Sequence, residues 1–176
     1  SSDVCSSDLA FGATGLPLDH CNAHKHFHLH PAICGLMLRI GKAFGLNAMR
    51  IPDEPRAVLN KIENSPAKAT QWIVRPWVRR MRARLRTEGV WAPDHVFGLA
   101  WSGAMTKRRL LGLIRNLPEG VNEIYLHPAS EDAYTGSAPN YRYREEWQAL
   151  LDPEIVKALT DSGIRRGGFT DFLGSR

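Results

Sequence analysis

Apolar positions along the chain come in short runs, and the spacing within each run changes from one element to the next. After Pro31, the residues Ile33, Leu36, Met37, Ile40 and Phe44 recur every three or four positions. This predicts a helix opened by proline at its first position and stopped by Gly45. Ala48 to Ile51 reads as a short strand closed by Pro52, and a proline- and charge-marked loop follows. Trp72 to Arg86 is a basic helix with an apolar stripe at Val74, Val78, Met81 and Leu85. Val96 to Ala100 is a second strand. Thr106 caps a helix holding Leu110, Leu111 and Ile114. A turn at Pro118-Glu119-Gly120 leads into a strand over Val121 to Leu126. Asp132 to Tyr141 is a loop, Glu145 to Leu151 and Pro153 to Asp161 are helices, and a last short strand near Ile164 is broken by Gly167-Gly168. Strands alternating with helices predict an α/β fold with mostly parallel strands. In such folds the chemistry collects at the C-terminal ends of the strands. Two predicted strands end in polar runs suited to chemistry, one at His24 to His30 and one at His127-Pro128.

Composition narrows the picture. The chain has 176 residues, 43% apolar and 23% charged, which excludes a disordered tail, a collagen-like chain and a coiled coil. That length suits one domain or part of a larger one. No apolar stretch approaches the roughly 18–20 residues of a membrane helix. Twenty-three Lys and Arg against 18 Asp and Glu leave a net charge of +5, which permits a polyanion or membrane-surface contact without demanding one. The three cysteines, Cys5, Cys21 and Cys34, form no CxxC pair and suggest reduced thiols of a cytoplasmic protein. The segment Ser1 to Leu9 reads SSDVCSSDL, repeats Ser-Ser-Asp and has no structural period. It is expected to be a non-native tail derived from a sequencing adapter. Residues 10–176 then form a single partial domain whose true chain begins further upstream.

Five of the seven histidines lie between His20 and His30. On an extended chain His24, His26 and His28 share a face. Neutral imidazoles gathered this way suit a divalent cation, and a catalytic site uses about three protein ligands, so some of the five must orient ligands or face substrate. Solvated or hydrogen-bonded histidines at a strand end are the plainer alternative. Asp19 and Asn22 are placed to orient the imidazoles, and His26 to support them or meet substrate. His127, at the end of the run Glu123-Ile124-Tyr125-Leu126-His127-Pro128, is suited to act as a general acid or base. Trp101, in a loop after a strand, has the right chemistry to stack on a sugar or a lipid head group, or to serve the core.

The stretches Thr14 to Pro31, Val96 to Thr106, Glu123 to Ala129, Tyr141 to Glu146 and Gly167 to Asp171 together resemble the YdjC-like carbohydrate deacetylase family. Its hopanoid-biosynthesis-associated branch is the nearer match. The His-Lys-His-x-His and Tyr-Leu-His-Pro motifs, in that order, carry the likeness. The resemblance implies the C-terminal portion of a distorted, incomplete TIM-type barrel. It implies a metal-dependent hydrolase that removes an acetyl group from an N-acetylated sugar or glycolipid. The cofactor it implies is a divalent ion, Mg or Zn, with His24 as a ligand, while His127 protonates the departing amine. By the spacing argument His28 is a second ligand and Tyr125 a neighbour on the substrate side. The family's N-terminal Asp-Asp motif and first ligand histidine are absent, so this chain alone is expected to be nearly inactive.

Two other functions compete. A metallohydrolase of the amidohydrolase or PHP kind also uses His-x-His, but only His95 and His127 remain downstream to complete its ligand set. A non-enzymatic lipid or nucleic-acid binder working through the Arg-rich helix would leave the histidine cluster unused. For residues 72–86 the bland expectation is a solvated outer face, and the sharper one a peripheral membrane contact. No nucleic-acid partner is expected.

Overall fold

The computed structural model describes residues 12–63 and 69–174, the side chains of 69–73 excepted. The expected adapter-derived tail and the side chain of Trp72 lie outside the described residues. The chain forms two compact units, one of Ser1–Arg50, Pro76–Ala92 and Gly167–Arg176, the other of Ile51–Arg75 and Pro93–Arg166. Among the described residues every strand pairing in both units is parallel, so the class is α/β as expected.

In the first unit, parallel bridges join Cys21 to Met49 and Ala48 to Trp91. A 3-10 helix covers His24–Leu29 and the helix α1 covers Pro31–Ala43. Helix α3, Ala69–Thr87, supplies its portion from Pro76 onward, and a 3-10 turn over Phe169–Phe172 ends the unit. Helix α1 has Pro31 at its first position, as the pattern predicts, and buries Cys34, Leu38 and Gly41. Val78, Met81 and Leu85 of α3 are buried at helical spacing, and the arginines between them stay largely outside.

The second unit is the more regular. Helix α2 spans Arg56–Ile62, strand β1 His95–Phe97, helix α4 Lys107–Asn116, strand β2 Asn122–Ile124, helix α5 Tyr143–Leu151 and helix α6 Pro153–Asp161. Strands β1 and β2 pair parallel with His95 opposite Asn122 and Phe97 opposite Ile124. The core gathers Leu59 from α2, Phe97 from β1, Leu113 from α4, Ala149 from α5 and Ile155 from α6. Thr106 caps α4 by accepting from Arg109 N–H, and Asp152 caps α6 by accepting from Glu154 N–H at 2.9 Å.

Five expectations need correction. The strand expected over Ala48 to Ile51 is reduced to single bridges at Ala48 and Met49. The strand expected over Val96 to Ala100 stops at Phe97, because the next three N–H groups donate to the Glu54 carboxylate instead of a neighbouring strand. The strand expected over Val121 to Leu126 covers only Asn122–Ile124. Ile164 starts no strand, and its N–H donates to Ser162 Oγ at 3.3 Å. The loop expected after Pro52 contains helix α2, a two-turn element with Val58 and Leu59 buried.

Charge divides unevenly. By sequence the second unit balances 13 Lys and Arg against 13 Asp and Glu, while the first holds 10 against 5. The net excess of five positive charges therefore belongs to the first unit.

Candidate functional site

The histidine run is not extended. Lys25 and His26 adopt φ values of 48° and 57°, so the chain turns back through a left-handed step before α1. His28 holds this turn together. It is fully buried, its Nδ1 accepts from Ala23 N–H at 3.2 Å, and its Nε2–H donates to Arg50 O at 2.9 Å. That arrangement fixes the tautomer with the proton on Nε2 and commits both ring nitrogens to the backbone. Burial holds its pKa below the ordinary histidine range, the hydrogen bond to Arg50 O opposing this. His26, half-buried, lies with its ring 5.9 Å from that of His28. His24 and Asn22 are exposed. The face that an extended chain would give His24, His26 and His28 is therefore dispersed by the turn.

Asp19 has a different occupation from orienting those histidines. It accepts from Thr170 Oγ1, from Thr170 N–H at 3.0 Å and from His20 Nδ1 at 2.9 Å. The Thr170 hydroxyl is the main reason its carboxyl lies below the usual carboxylate range. His20 stacks on Phe169 at 3.9 Å, and Phe169 meets the edge of Trp91. Together these contacts fasten the C-terminal 3-10 turn to the segment entering Cys21. Among the described residues no group of three or more His, Cys, Asp or Glu is arranged to hold a metal ion.

In the second unit, the loops leaving β1 and β2 are organised by two carboxylates. Glu54 accepts from Gly98, Leu99 and Ala100 N–H at 2.9, 3.1 and 2.8 Å. Glu146, on α5 and only 1% exposed, accepts from Met105 N–H at 2.9 Å and from His127 N–H. A backbone clamp on a buried carboxylate fixes where His127 sits. Its imidazole lies edge-on to Tyr125 at 5.6 Å and to Tyr141 at 5.1 Å, and its Nδ1 is buried with no hydrogen-bond partner among the described residues. A buried imidazole nitrogen without a partner calls for one, a water or a ligand atom.

Two glycines make room for these aromatics. At Gly98, with φ 122°, a Cβ would stand 2.6 Å from Tyr125 O. At Gly103, with φ 73°, a Cβ would fall 2.2 Å from the Tyr141 ring. The Tyr141 hydroxyl and Ser102 Oγ share a hydrogen bond at 2.8 Å. Trp101 is 4% exposed and belongs to the core, with the Arg109 guanidinium 5.3 Å from its ring, so it offers no face for stacking on a sugar. Sequence reasoning missed Glu54, Glu146 and Tyr141. For Glu146 the available signal was its helical phase with Tyr143 and Ala149, which share the buried side of α5.

Comparison with known proteins places these motifs. The family model described as YdjC-like protein matches residues 9–161. A protein named carbohydrate deacetylase from Geobacillus stearothermophilus is 25% identical over 174 residues, covering 97% of this chain and 58% of its own length. A second of the same name, from Brevibacillus brevis, is 25% identical over 170 residues, covering 92% of this chain and 56% of its own. The chain thus spans less than three fifths of either relative. No solved structure matches it significantly.

Proposed function

The chain belongs to the YdjC-like protein family, and from that premise we propose that it is part of a carbohydrate deacetylase, a hydrolase cleaving the amide bond of an N-acetylated sugar or glycolipid. The observation that carries this reading is the state of His127, held by its backbone on buried Glu146 with one ring nitrogen buried and without a partner among the described residues. Two relatives bearing that name support the reaction class. We read the parallel pairings as the C-terminal portion of a distorted, incomplete (β/α) barrel, and the chain as a cytoplasmic member of the hopanoid-associated branch.

The likeness implies a divalent Mg or Zn ion. The described residues do not fit its site: no three donors converge, and His28 and Asp19 are committed to hydrogen bonds. Of the histidine run, His24 is exposed, and it could serve a metal only with donors that the described residues do not supply. His28 we assign to shaping the turn that presents His24.

The chain's own residues perform the proton chemistry. As water adds its oxygen to the acyl carbon and the carbon–nitrogen bond breaks, His127 gives a proton to the departing nitrogen, so that a neutral amine leaves and the acyl group is released as acetate. Glu146 fixes the backbone from which the imidazole projects. The rings of Tyr125 and Tyr141 hold the imidazole plane and limit water around it. The test is to express the intact gene product and measure acetate and free amine released from N-acetylated sugars, with Mg or Zn added in turn. Equal amounts of acetate and amine are expected. Failure to release acetate from any N-acetylated sugar under either metal would contradict the proposal.

A further inference from the structure

The first unit contains a surface that the proposed hydrolysis does not use. Helix α1 and the Pro76–Thr87 portion of α3 lie side by side. Arg84 Nη1–H donates to Pro31 O at 3.3 Å, a Cβ at Gly35 would stand 3.0 Å from that guanidinium, the His30 and Trp77 rings are 5.8 Å apart, and Lys42 pairs with Glu88. These contacts set the C-terminal part of α3 beside α1.

Helical phase then fixes which residues share the outer side. On α1 the buried positions are 34, 38 and 41, and the exposed positions opposite them are 32, 36, 39 and 43. On α3 the buried positions are 78, 81 and 85, and Trp77, Arg80 and Arg84 lie on the side nearer α1, with Arg79 beyond them. The outer side of the pair therefore carries Leu36, 46% exposed, and Trp77, 41% exposed, among Arg39, Arg79, Arg80 and Arg84. Arg39, Arg79 and Arg80 form no ion pair among the described residues. Glu88 is the carboxylate at this surface, and Lys42 neutralises it. This is also the unit that holds the chain's whole charge excess.

We infer that this two-helix face is a docking surface for an anionic lipid bilayer. The cations match a negatively charged leaflet. Leu36 and Trp77, the latter with its ring stacked on His30, are an exposed aliphatic and an exposed aromatic side chain among those cations, a pairing that suits a headgroup–acyl boundary. A nucleic-acid backbone would use the arginines but gains little from an exposed leucine. The surface is parallel to a bilayer in this arrangement and crosses nothing, and no described helix is long and apolar enough to span a membrane.

The experiment is sedimentation of the whole chain with vesicles of phosphatidylcholine alone or with roughly one-third phosphatidylglycerol. Binding to the anionic vesicles only is expected, and it should weaken as salt rises from about 0.1 M to about 0.5 M. One cation near an anionic leaflet is worth about fivefold in partitioning, so the double variant R39E/R80E should lose more than about 20-fold. The variant L36S/W77S should lose binding too, while K157E, in the charge-balanced unit, should bind like wild type. Circular dichroism of each variant confirms that it is folded, and R79E replaces R80E if the double variant is not. Equal partitioning of wild type and R39E/R80E would overturn the inference. So would displacement from vesicles by duplex DNA that L36S/W77S still binds with unchanged affinity, since that marks a phosphodiester site.

Discussion

The two units hold their strand ends by opposite chemical means. In the second, carboxylates collect backbone donors: Glu54 takes three successive N–H groups after β1, and Glu146 takes one from each of two loops. In the first, an imidazole bridges the backbone, His28 accepting from Ala23 N–H and donating to Arg50 O. A carboxylate only accepts, so it gathers donors and leaves carbonyls to other partners. A neutral imidazole both accepts and donates, so it ties one strand end to the next segment but spends both nitrogens doing so. The charge distribution follows the same division. The second unit pairs many of its charges internally, as in Arg109 with Glu63 and Lys107 with Asp152 and Glu154, while the first leaves arginines outward. The contrast teaches that a run dense in metal-binding residue types can be partly consumed by its own fold.

The comparison breaks most visibly at Glu146. Glu146→Ala leaves the buried Met105 N–H and the partly buried His127 N–H without acceptors and should cost about 2–6 kcal/mol, at roughly 1–3 kcal/mol for each orphaned group. Glu54→Ala, at a half-buried site that water can reach, should cost less, about 1–3 kcal/mol. Urea denaturation of both variants decides this, and a reversed order would mean that Glu54 carries the rim.

On the imidazole side, His28→Ala should cost about 2–4 kcal/mol from two lost backbone partners and a small cavity. His28 also makes a pH prediction. Its folded pKa is lowered by burial, so the unfolded chain binds the proton more readily. Its contribution is complete above the ordinary value near 6.5 and is lost as pH falls through 6.5 toward the depressed folded value. Stability measured from pH 8 downward should therefore fall below about pH 6.5 in wild type, and that drop should be absent in His28→Ala.

How far the sequence revealed all this differs between the units. The helices at Pro31, Trp72 to Arg86, Thr106, Glu145 and Pro153 were legible because 3.6-residue periodicity and capping residues are local signals. The strand ends were not, since they depend on where side chains distant in sequence deliver acceptors: Glu54 is 44 residues from Gly98, and Glu146 is 19 from His127. His127 stood out as a histidine before proline, and it lies in the loop after β2, three residues beyond Ile124. The alternation of His24, His26 and His28 misled because period-2 reasoning assumes an extended chain, and two left-handed residues remove that premise.

Smaller changes sharpen the contrast. Thr170→Val removes a hydroxyl that stabilises the Asp19 carboxylate and should loosen the C-terminal 3-10 turn. Faster amide hydrogen exchange over residues 169–172 is expected, with global stability changed by about 1 kcal/mol or less. Lys157→Ala breaks an exposed pair with Asp161 one turn away and should cost no more than about 0.5 kcal/mol.

The central claim, that His127 supplies the proton for amide cleavage, is tested most directly by the turnover of His127→Gln in the intact gene product, measured as acetate release from an N-acetylated sugar. The replacement keeps the backbone N–H that Glu146 holds, so folding should be preserved while the titratable group is lost. The prediction is a fall in kcat of about 10²–10⁴-fold with the protein still folded. Turnover within about twofold of wild type would contradict it, because general acid catalysis of that size cannot be lost unnoticed.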